Sequence, residues 1–240
     1  MYNNLDYTGY IQNAVGVGEP AVIFWDYNGT ILDDVGVCVS AINTMLNRRN
    51  LPAISYDKYI NIFDFPIIQL YEGAGFDLDK ESFTDTLAPE YISLYQPASY
   101  TAAIRPDALN LIKAFRSAGY IQVLLSASQK GLLLEQTDFF GLSALFDVIL
   151  GLSDIYAKSK TELARQWINE RYIDSRKALV IGDTIHDYQV ACELNCRCIL
   201  VCGGHNSKKR LQMTDATVID NLTDLLFYHN HVKQAWPFPF

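Results

Sequence analysis

Short apolar runs alternate with longer amphipathic segments along most of this chain. The runs are short, rich in β-branched residues and apolar on both faces, a pattern typical of parallel strands covered by helices on both sides. We predict strands at 21–26, 121–126, 147–150, 178–183, 197–202 and a short 216–219. The segments between them carry helix signals, such as Pro106 in a first turn and Gly119 after a last one. The sequence therefore predicts an α/β fold, a Rossmann-like three-layer core on a parallel sheet.

A long insertion follows the first strand, because residues 27–120 are far more chain than one crossover needs. Apolar residues there repeat at helical spacing in two stripes: Val39, Ile42, Met45 and Leu46, then Phe83, Leu87, Tyr91 and Leu94. We predict a small helical cap domain at 35–101, inserted into a discontinuous core of residues 1–34 and 102–240. The cap is expected above the strand ends, where open parallel sheets bind ligands. Its aromatic residues are expected to form its core more than to contact a substrate: Phe63, Phe65, Tyr71 and Phe76.

Acidic residues follow two of the predicted strands. Asp26 ends the first strand, and Asn28 falls on the same side of an extended chain two residues later. Asp183 ends the strand at 178–183, and Asp187 follows at the start of a helix. Two strands therefore deliver carboxylates to what is expected to be one edge of one sheet, although Asp183 and Asp187 would also suit simple helix capping.

Composition narrows the class of partner. The chain has 240 residues, half of them hydrophobic, and a formal net charge of −8. This charge disfavours nucleic acid and anionic membranes as partners. No apolar run approaches the roughly 18 residues of a membrane span, and the N-terminus lacks the basic and apolar regions of a signal peptide, so a cytoplasmic protein is expected. The clustered cysteines are expected to be free thiols, since they cross a helix end and a strand: Cys192, Cys196, Cys198 and Cys202.

Two further local signals concern a helix and the C-terminal tail. Ser159 and Glu162 have capping-box spacing at the start of a predicted helix. The tail at 236–240 is too apolar to leave in water. It is expected to dock either on its own core or on a second subunit, which leaves a homodimer possible.

Four motifs in order give the chain a resemblance to a known family: Asp26-Tyr27-Asn28-Gly29-Thr30, Ser126 after an apolar run, Lys160, and Gly182-Asp183 with Asp187. The chain resembles the haloacid dehalogenase superfamily of aspartate-nucleophile phosphatases, in the phosphoglycolate-phosphatase-like branch whose helical cap follows the first strand. The resemblance covers about residues 20 to 227. It implies a Mg²⁺-dependent phosphatase that hydrolyses a small phosphorylated metabolite through an aspartyl-phosphate.

The resemblance also implies a role for each matching residue. Asp26 would attack phosphorus, while Mg²⁺ would be held by Asp26, the backbone carbonyl of Asn28 and Asp183, with Asp187 behind them to orient water or Lys160. The phosphoryl oxygens would be bound by Ser126, the backbone N–H of Ala127, and Lys160. Lys158 and Ser128 are alternatives to Lys160 and Ser126; we favour the second pair because Lys160 opens a helix and Ser126 directly ends an apolar run.

One position departs from the family. Phosphatases of this family carry a second aspartate two residues after the nucleophile, as acid and base for the leaving group and water, and here that residue is Asn28. An amide exchanges no proton at neutral pH, and loss of a general acid/base typically costs about 10²- to 10⁴-fold in rate. A slow enzyme, or one limited to esters with good leaving groups, is therefore expected. His205, in the loop after the fifth strand, is a candidate replacement, with contact to a backbone carbonyl or to the cap as its structural alternative.

Three other functions compete with hydrolysis of a phosphate ester. Asn28 favours a non-hydrolytic relative that binds a phosphorylated ligand or a partner protein. Dehalogenases also lack the second acid, but they need no metal, and Asp183 argues against that chemistry. Cleavage of a carbon–phosphorus bond needs a Schiff-base lysine in the cap, where Lys58 and Lys80 lie in no recognisable motif.

Overall fold

The protein was examined as a computed structural model, which describes residues 22–156 and 159–225. Its described strands are, in chain order, β1 Val22–Trp25, β2 Leu32–Asp33, β3 Ala103–Ile104, β4 Ile121–Gln129, β5 Val148–Leu152, β6 Ala178–Gly182, β7 Arg197–Val201 and β8 Thr217–Ile219. Its described α-helices are α1 Val35–Arg48, α2 Tyr56–Ile62, α3 Ile68–Ala74, α4 Ala88–Ser99, α5 Pro106–Ser117, α6 Lys130–Phe139, α7 Thr161–Glu170, α8 Ile185–Leu194 and α9 Lys208–Leu211.

Six strands form one sheet in the order β5-β4-β1-β6-β7-β8, and every neighbouring pair is parallel. The α/β prediction is therefore confirmed. The strand bounds differ most at β4, which continues three residues past the predicted end after its register with β5 shifts between Leu125 and Gln129. The sequence analysis missed a short antiparallel ribbon, in which Leu32 of β2 pairs with Ile104 of β3.

The sheet is buried on both faces, which explains the unbroken apolar runs. Ile23 and Trp25 point into one core cluster with Leu111 and Phe115 of α5. On the opposite face, Phe24 packs edge-on against Trp167 of α7 at 5.7 Å. Alternate residues of β1 thus face two separate helical layers, and β1 is held in the middle of the sheet.

The helical segment between β2 and β3 has a core of its own. Residues buried in it include Ile42, Met45 and Leu46 of α1, as the periodicity predicts. Three of the four aromatic residues expected in the cap core belong to this cluster, and Phe65 packs against it. The helical segment therefore contributes a separate layer above the carboxyl edge of the sheet, and its boundaries at 35 and 101 stay a prediction.

One local prediction is wrong. Helix α7 begins at Thr161 with Lys160 at the position before it, and Lys160 makes no side-chain capping bond. Glu162 pairs with Arg165 on the helix surface at 2.6 Å instead of capping. The Ser159–Glu162 capping box is not formed, because Lys160 is drawn into a buried ion pair described below.

None of the helices within the described ranges is both long and apolar enough to cross a bilayer. The tail at 236–240, with the expected docking or homodimer contact, lies outside the described residues, as does Lys158.

Candidate functional site

Two neighbouring strands bring the acidic residues together. β1 pairs with β6, and the ladder continues past β1 as the Asp26 N–H donates to the Ile181 carbonyl at 2.9 Å. Asp26 and Asp183 thus leave adjacent strands at the same edge, as predicted from the sequence. Asp26, Asp183 and Asp187 are buried, and each offers an oxygen within 4.8 Å of the other two.

Lys160 joins this cluster from the start of α7. Its Nζ pairs with Asp26 Oδ1, lies 2.7 Å from Asp187 Oδ1 and donates to the Leu125 carbonyl at 3.1 Å. The side chain is only 3% exposed. A buried lysine with two carboxylate partners stays charged: although burial opposes the charge, Asp187 and Asp26 raise the pKa of Lys160.

Asp187 is fixed by the helix that it caps. Its Oδ2 accepts hydrogen bonds from the Thr184 hydroxyl at 2.6 Å and the Thr184 N–H at 3.0 Å, in a capping box at the start of α8. Its other oxygen is left for Lys160. Asp187 therefore both caps α8 and orients Lys160, so the simple capping alternative describes only half of its contacts.

Asp183 is held by the opposite side of the site. Its Oδ1 accepts from the Thr30 hydroxyl at 2.7 Å and its Oδ2 from the His205 N–H at 2.6 Å. Gly204 allows this approach, because a methyl group added there would overlap the Asp183 carboxylate. Gly29, at φ 75°, passes the same carboxylate. Both glycines let backbone pack directly on Asp183.

The site carries more negative than positive charge. Three buried carboxylates face one lysine, which leaves an excess of two negative charges if all are ionised. Burial raises the pKa of Asp26 well above its usual range; Lys160 opposes the rise, and Asp187 and Asp183 add to it. Burial, with the charge of Asp187, also raises the pKa of Asp183. An all-oxygen cluster with this excess charge is suited to a hard divalent cation.

The side chain of Asn28 is fully engaged. Its amide nitrogen donates to Asp34 Oδ2 and to the Tyr95 hydroxyl, both at 2.7 Å, and its oxygen accepts from the Ser128 hydroxyl at 2.9 Å. The amide thus acts as a donor toward a carboxylate. An aspartate here would face Asp34 as a like charge.

Asp34 is the residue that the sequence analysis missed. It is fully buried just before α1 and accepts hydrogen bonds from the Gly29 N–H at 2.9 Å and the Tyr95 hydroxyl at 2.6 Å. Burial alone would raise its pKa, but His205, Tyr95 and Asn28 lower it, so Asp34 is a carboxylate. Its signal in the sequence, an acidic pair before a helix, is shared by many ordinary helix starts.

His205 lies between Asp34 and the helical segment. Its Nε2 is 3.3 Å from Asp34 Oδ1, its Nδ1 is 3.0 Å from the Tyr59 hydroxyl, and its ring stacks on Phe63 at 4.6 Å. Burial opposes its charge, yet the hydrogen bond and charge of Asp34 raise its pKa to about 8. His205 therefore makes the cap contact that we named as its structural alternative, and it also lines the cavity next to Asp26.

The same loop fastens the sheet edge to the helical segment. Arg210 donates to the Phe63 carbonyl and pairs with Asp64 at 2.7 Å. Asn206 donates to the same carbonyl at 2.8 Å, and Ser207 bonds to Asn61 at 2.8 Å. The helical segment is thus held closed over the acidic cluster.

Ser126 and Ala127 lie on the far side of β1 from Asp183. Both line a cavity that also contacts Asp26 and Lys160. The Ser126 hydroxyl accepts from the Ser128 N–H at 3.0 Å, which orients it within this turn of β4. The structure thus brings all eight residues selected from the sequence to one edge of the sheet, and it adds Asp34, Tyr59 and Tyr95.

Comparison with known proteins agrees with this arrangement. The family model of the haloacid dehalogenase-like hydrolases matches residues 22–201. A phosphoglycolate phosphatase of Aquifex aeolicus is 23% identical over 216 residues, which cover 89% of this chain and 99% of that protein. Phosphoglycolate phosphatase 1 of Pseudomonas aeruginosa is 22% identical over 214 residues, which cover 86% and 79%.

Solved structures share the fold. A crystal structure described as a predicted phosphatase from Clostridium acetobutylicum has a TM-score of 0.75 at 20% identity and covers 90% of this chain and 100% of its own. One described as a predicted phosphoglycolate phosphatase from Haemophilus somnus has a TM-score of 0.70 at 18% identity and covers 88% and 99%. The family match extends over most of the chain and includes Asp26, Lys160, Asp183 and Asp187. The chain therefore belongs to the haloacid dehalogenase-like hydrolase family.

Proposed function

We propose that this protein is a Mg²⁺-dependent phosphatase that hydrolyses a small phosphorylated metabolite through an aspartyl-phosphate at Asp26. The observation that carries the proposal is the position of Asp26, buried between Lys160 and Asp183 at the mouth of a cavity. A carboxylate that attacks a phosphate ester needs its own charge and that of the ester offset. The site supplies one lysine and a set of oxygens suited to a divalent cation.

In this proposal Asp26, Asp183 and the backbone carbonyl of Asn28 hold Mg²⁺, with Asp187 acting through Lys160. The cation supplies charge neutralisation on the transferring phosphoryl group. A carboxylate oxygen of Asp26 forms a bond to phosphorus as the bond to the ester oxygen breaks, and the leaving group departs with that electron pair. Water then cleaves the acyl phosphate to give inorganic phosphate and free Asp26.

The remaining residues bind the phosphoryl oxygens. We assign this role to the Ser126 hydroxyl, the Ala127 N–H and Lys160, all of which line the cavity around Asp26. His205 also lines it, and its contacts with Asp34 and Tyr59 support a role in fixing the cap as well as one near the substrate.

Asn28 limits how the leaving group is protonated. Its amide is bonded to Asp34, Tyr95 and Ser128, so it supports the geometry of the turn but delivers no proton. We therefore expect slow turnover, with the ratio to an acid-assisted enzyme on the order of 10² to 10⁴.

The test is phosphate release from a panel of monoesters, with Mg²⁺ and with chelator. Phosphoglycolate belongs in the panel because several relatives are named for it. We expect release that needs Mg²⁺ and is lost in Asp26→Asn, whereas Asp79→Asn on the surface behaves as the wild type. Release that ignores both chelator and Asp26→Asn would reject the proposal.

A second candidate function is binding without turnover, which the engaged amide of Asn28 favours. Binding of phosphate or a phosphonate with no phosphate release from any ester would support it. We also propose the cap at 35–101, the core at 1–34 and 102–240, and a cytoplasmic location; limited proteolysis near the two junctions tests the domain division.

A further inference from the structure

The cavity beside Asp26 is walled by apolar and aromatic side chains on the side of the helical segment. These include Phe63, Phe65, Ile67, Phe83, Tyr91 and Ile92. The opposite end holds the polar residues around Asp26, Ser126 and Lys160. A phosphate monoester bound at Asp26 would therefore direct the rest of the molecule into an apolar compartment.

The cavity volume is about 130 Å³. An engineered apolar cavity of about 150 Å³ takes up benzene, so this volume suits one ring and excludes a nucleotide or an oligosaccharide. The size of the compartment limits the part of the ester beyond the phosphate to a small group.

Charge in the cavity argues against an acidic leaving group. Among its lining residues in the described ranges, Lys160 is the sole lysine or arginine, and both of its carboxylate partners already surround it. The His205 ring lies against Asp34, which places a carboxylate on the same wall. A carboxylate on the far end of an ester would lose its hydration without gaining a cation.

The polar groups of the helical segment that reach the cavity are also occupied. The Tyr95 hydroxyl donates to Asp34, the Tyr59 hydroxyl bonds to His205, and the Gln96 amide donates to Tyr100 and the Leu132 carbonyl. These groups serve the protein's own network, so the compartment presents mainly apolar surface to a ligand.

The chemistry at position 28 points to the same class. Asn28 delivers no proton to the departing oxygen, so the electron pair of the broken phosphorus–oxygen bond stays on the leaving group until water protonates it. An aryl oxide delocalises that charge over its ring, whereas an alkoxide holds it on one oxygen. Resting on the proposed phosphatase function, we propose that the preferred substrates are monoesters with a neutral aromatic leaving group, aryl phosphates in the simplest case.

Phosphonates test the pocket without any turnover. Benzylphosphonate and phosphonoacetate differ in whether a ring or a carboxylate follows the phosphorus, and calorimetry with Mg²⁺ present measures both. We expect benzylphosphonate to bind at least about tenfold more tightly, since burying or removing a few methylene-sized groups in an apolar pocket is worth about that much. Equal binding, or tighter binding of phosphonoacetate, overturns the inference whether or not any ester is hydrolysed.

Kinetics separates the pocket from simple leaving-group reactivity. In 4-carboxyphenyl phosphate the acidic group makes the better leaving group, while 4-methylphenyl phosphate better fits an apolar wall. We expect the larger kcat/KM for the methyl compound, by at least about tenfold. The reverse order also overturns the inference. Selective benzylphosphonate binding with no phosphate release from any ester instead overturns the phosphatase proposal and leaves the ligand class in place.

A cation added to the wall should reverse the preference. Ile92→Lys puts an ammonium group on the cavity side of α4, and Ser93→Lys adds the same charge one residue away on the exposed side. We expect Ile92→Lys to raise the affinity for phosphonoacetate and lower that for benzylphosphonate, with Ser93→Lys unchanged. If Ile92→Lys fails to fold, the two phosphonates on the wild type still decide the question.

Discussion

The amide of Asn28 donates a 2.7 Å hydrogen bond to Asp34 Oδ2, six residues along the chain. The family's usual aspartate at position 28 would place a second carboxylate against this buried one. Asn28 is thus matched to its surroundings, and its effect on activity is bound to its effect on stability.

Asn28→Asp is expected to destabilise the protein by about 1–3 kcal/mol, because a buried hydrogen bond is replaced by repulsion with Asp34. The repulsion raises the pKa of the new carboxyl group, so the lost stability returns as the pH falls and the group is protonated. The same variant should gain activity toward alkyl phosphates, whose leaving groups need a proton. Urea denaturation at several pH values and phosphate release measure the two effects.

The matched control for that variant exchanges the pair. Asn28→Asp with Asp34→Asn restores one carboxylate and one amide and should recover most of the lost stability. A double variant no more stable than Asn28→Asp would show that the Asn28–Asp34 contact is not what decides the cost.

Mg²⁺ should stabilise the wild type, since a ligand at 100 times its Kd adds about 2.7 kcal/mol to unfolding. Gly204→Ala is expected to abolish that increase in melting temperature, because the added methyl group displaces Asp183. Gly36→Ala, in α1 with nothing within 4 Å of its methyl position, is the control and should keep it. An unchanged Mg²⁺ response in Gly204→Ala would remove Asp183 from the metal site.

Lys160→Met is expected to cost about 3–5 kcal/mol of stability without Mg²⁺, because it leaves Asp26 and Asp187 buried without their cation. Phosphate release should fall with it. Lys80→Met removes an exposed lysine and should change neither quantity. Wild-type stability in Lys160→Met, measured by urea denaturation in chelator, would contradict the buried ion pair.

The chelated protein is expected to lose stability as the pH rises from about 6.5 to about 8. The pKa of His205 is raised to about 8 in the fold, chiefly by Asp34 against the effect of burial, while an unfolded histidine titrates near ~6.5. The charged form therefore stabilises the fold fully below the unfolded pKa, and the gain is lost through the folded one. For a shift of this size the loss is about 2 kcal/mol.

His205→Gln should flatten this pH dependence. His186→Gln is the control, because burial and then Lys160 lower the pKa of His186, so its contribution changes only below the unfolded value. Equal slopes between about pH 6.5 and 8 in the wild type and His205→Gln would contradict the His205–Asp34 interaction.

The sheet and the acidic edge were predictable because both depend on local patterns. Apolar runs mark buried strands wherever they occur, and parallel pairing brings the residues after two adjacent strands, here Asp26 and Asp183, to one edge. The capping signal at Ser159 was misleading for a tertiary reason: two carboxylates draw Lys160 inward, so α7 starts two residues later.

Asp34 and the cavity wall depended on long-range packing. Asp34 is positioned by the β2–β3 ribbon, whose strands are far apart in sequence, and by Tyr95 of the cap. The aromatic residues of the cap were expected mainly as core, and Phe63 and Tyr71 are indeed in it, but they also line the cavity. Periodicity identifies a buried face and does not distinguish a packed side from one that borders a cavity.

The most direct test of the central claim is mass spectrometry of the enzyme, acid-quenched during turnover of an aryl phosphate with Mg²⁺. Because Asn28 supplies no base for water, the phosphorylated enzyme should accumulate, and one phosphoryl group should map to the peptide at Asp26 and be absent from Asp26→Asn. Phosphate release with no phosphoryl group on Asp26, or with one on another residue, would contradict the account.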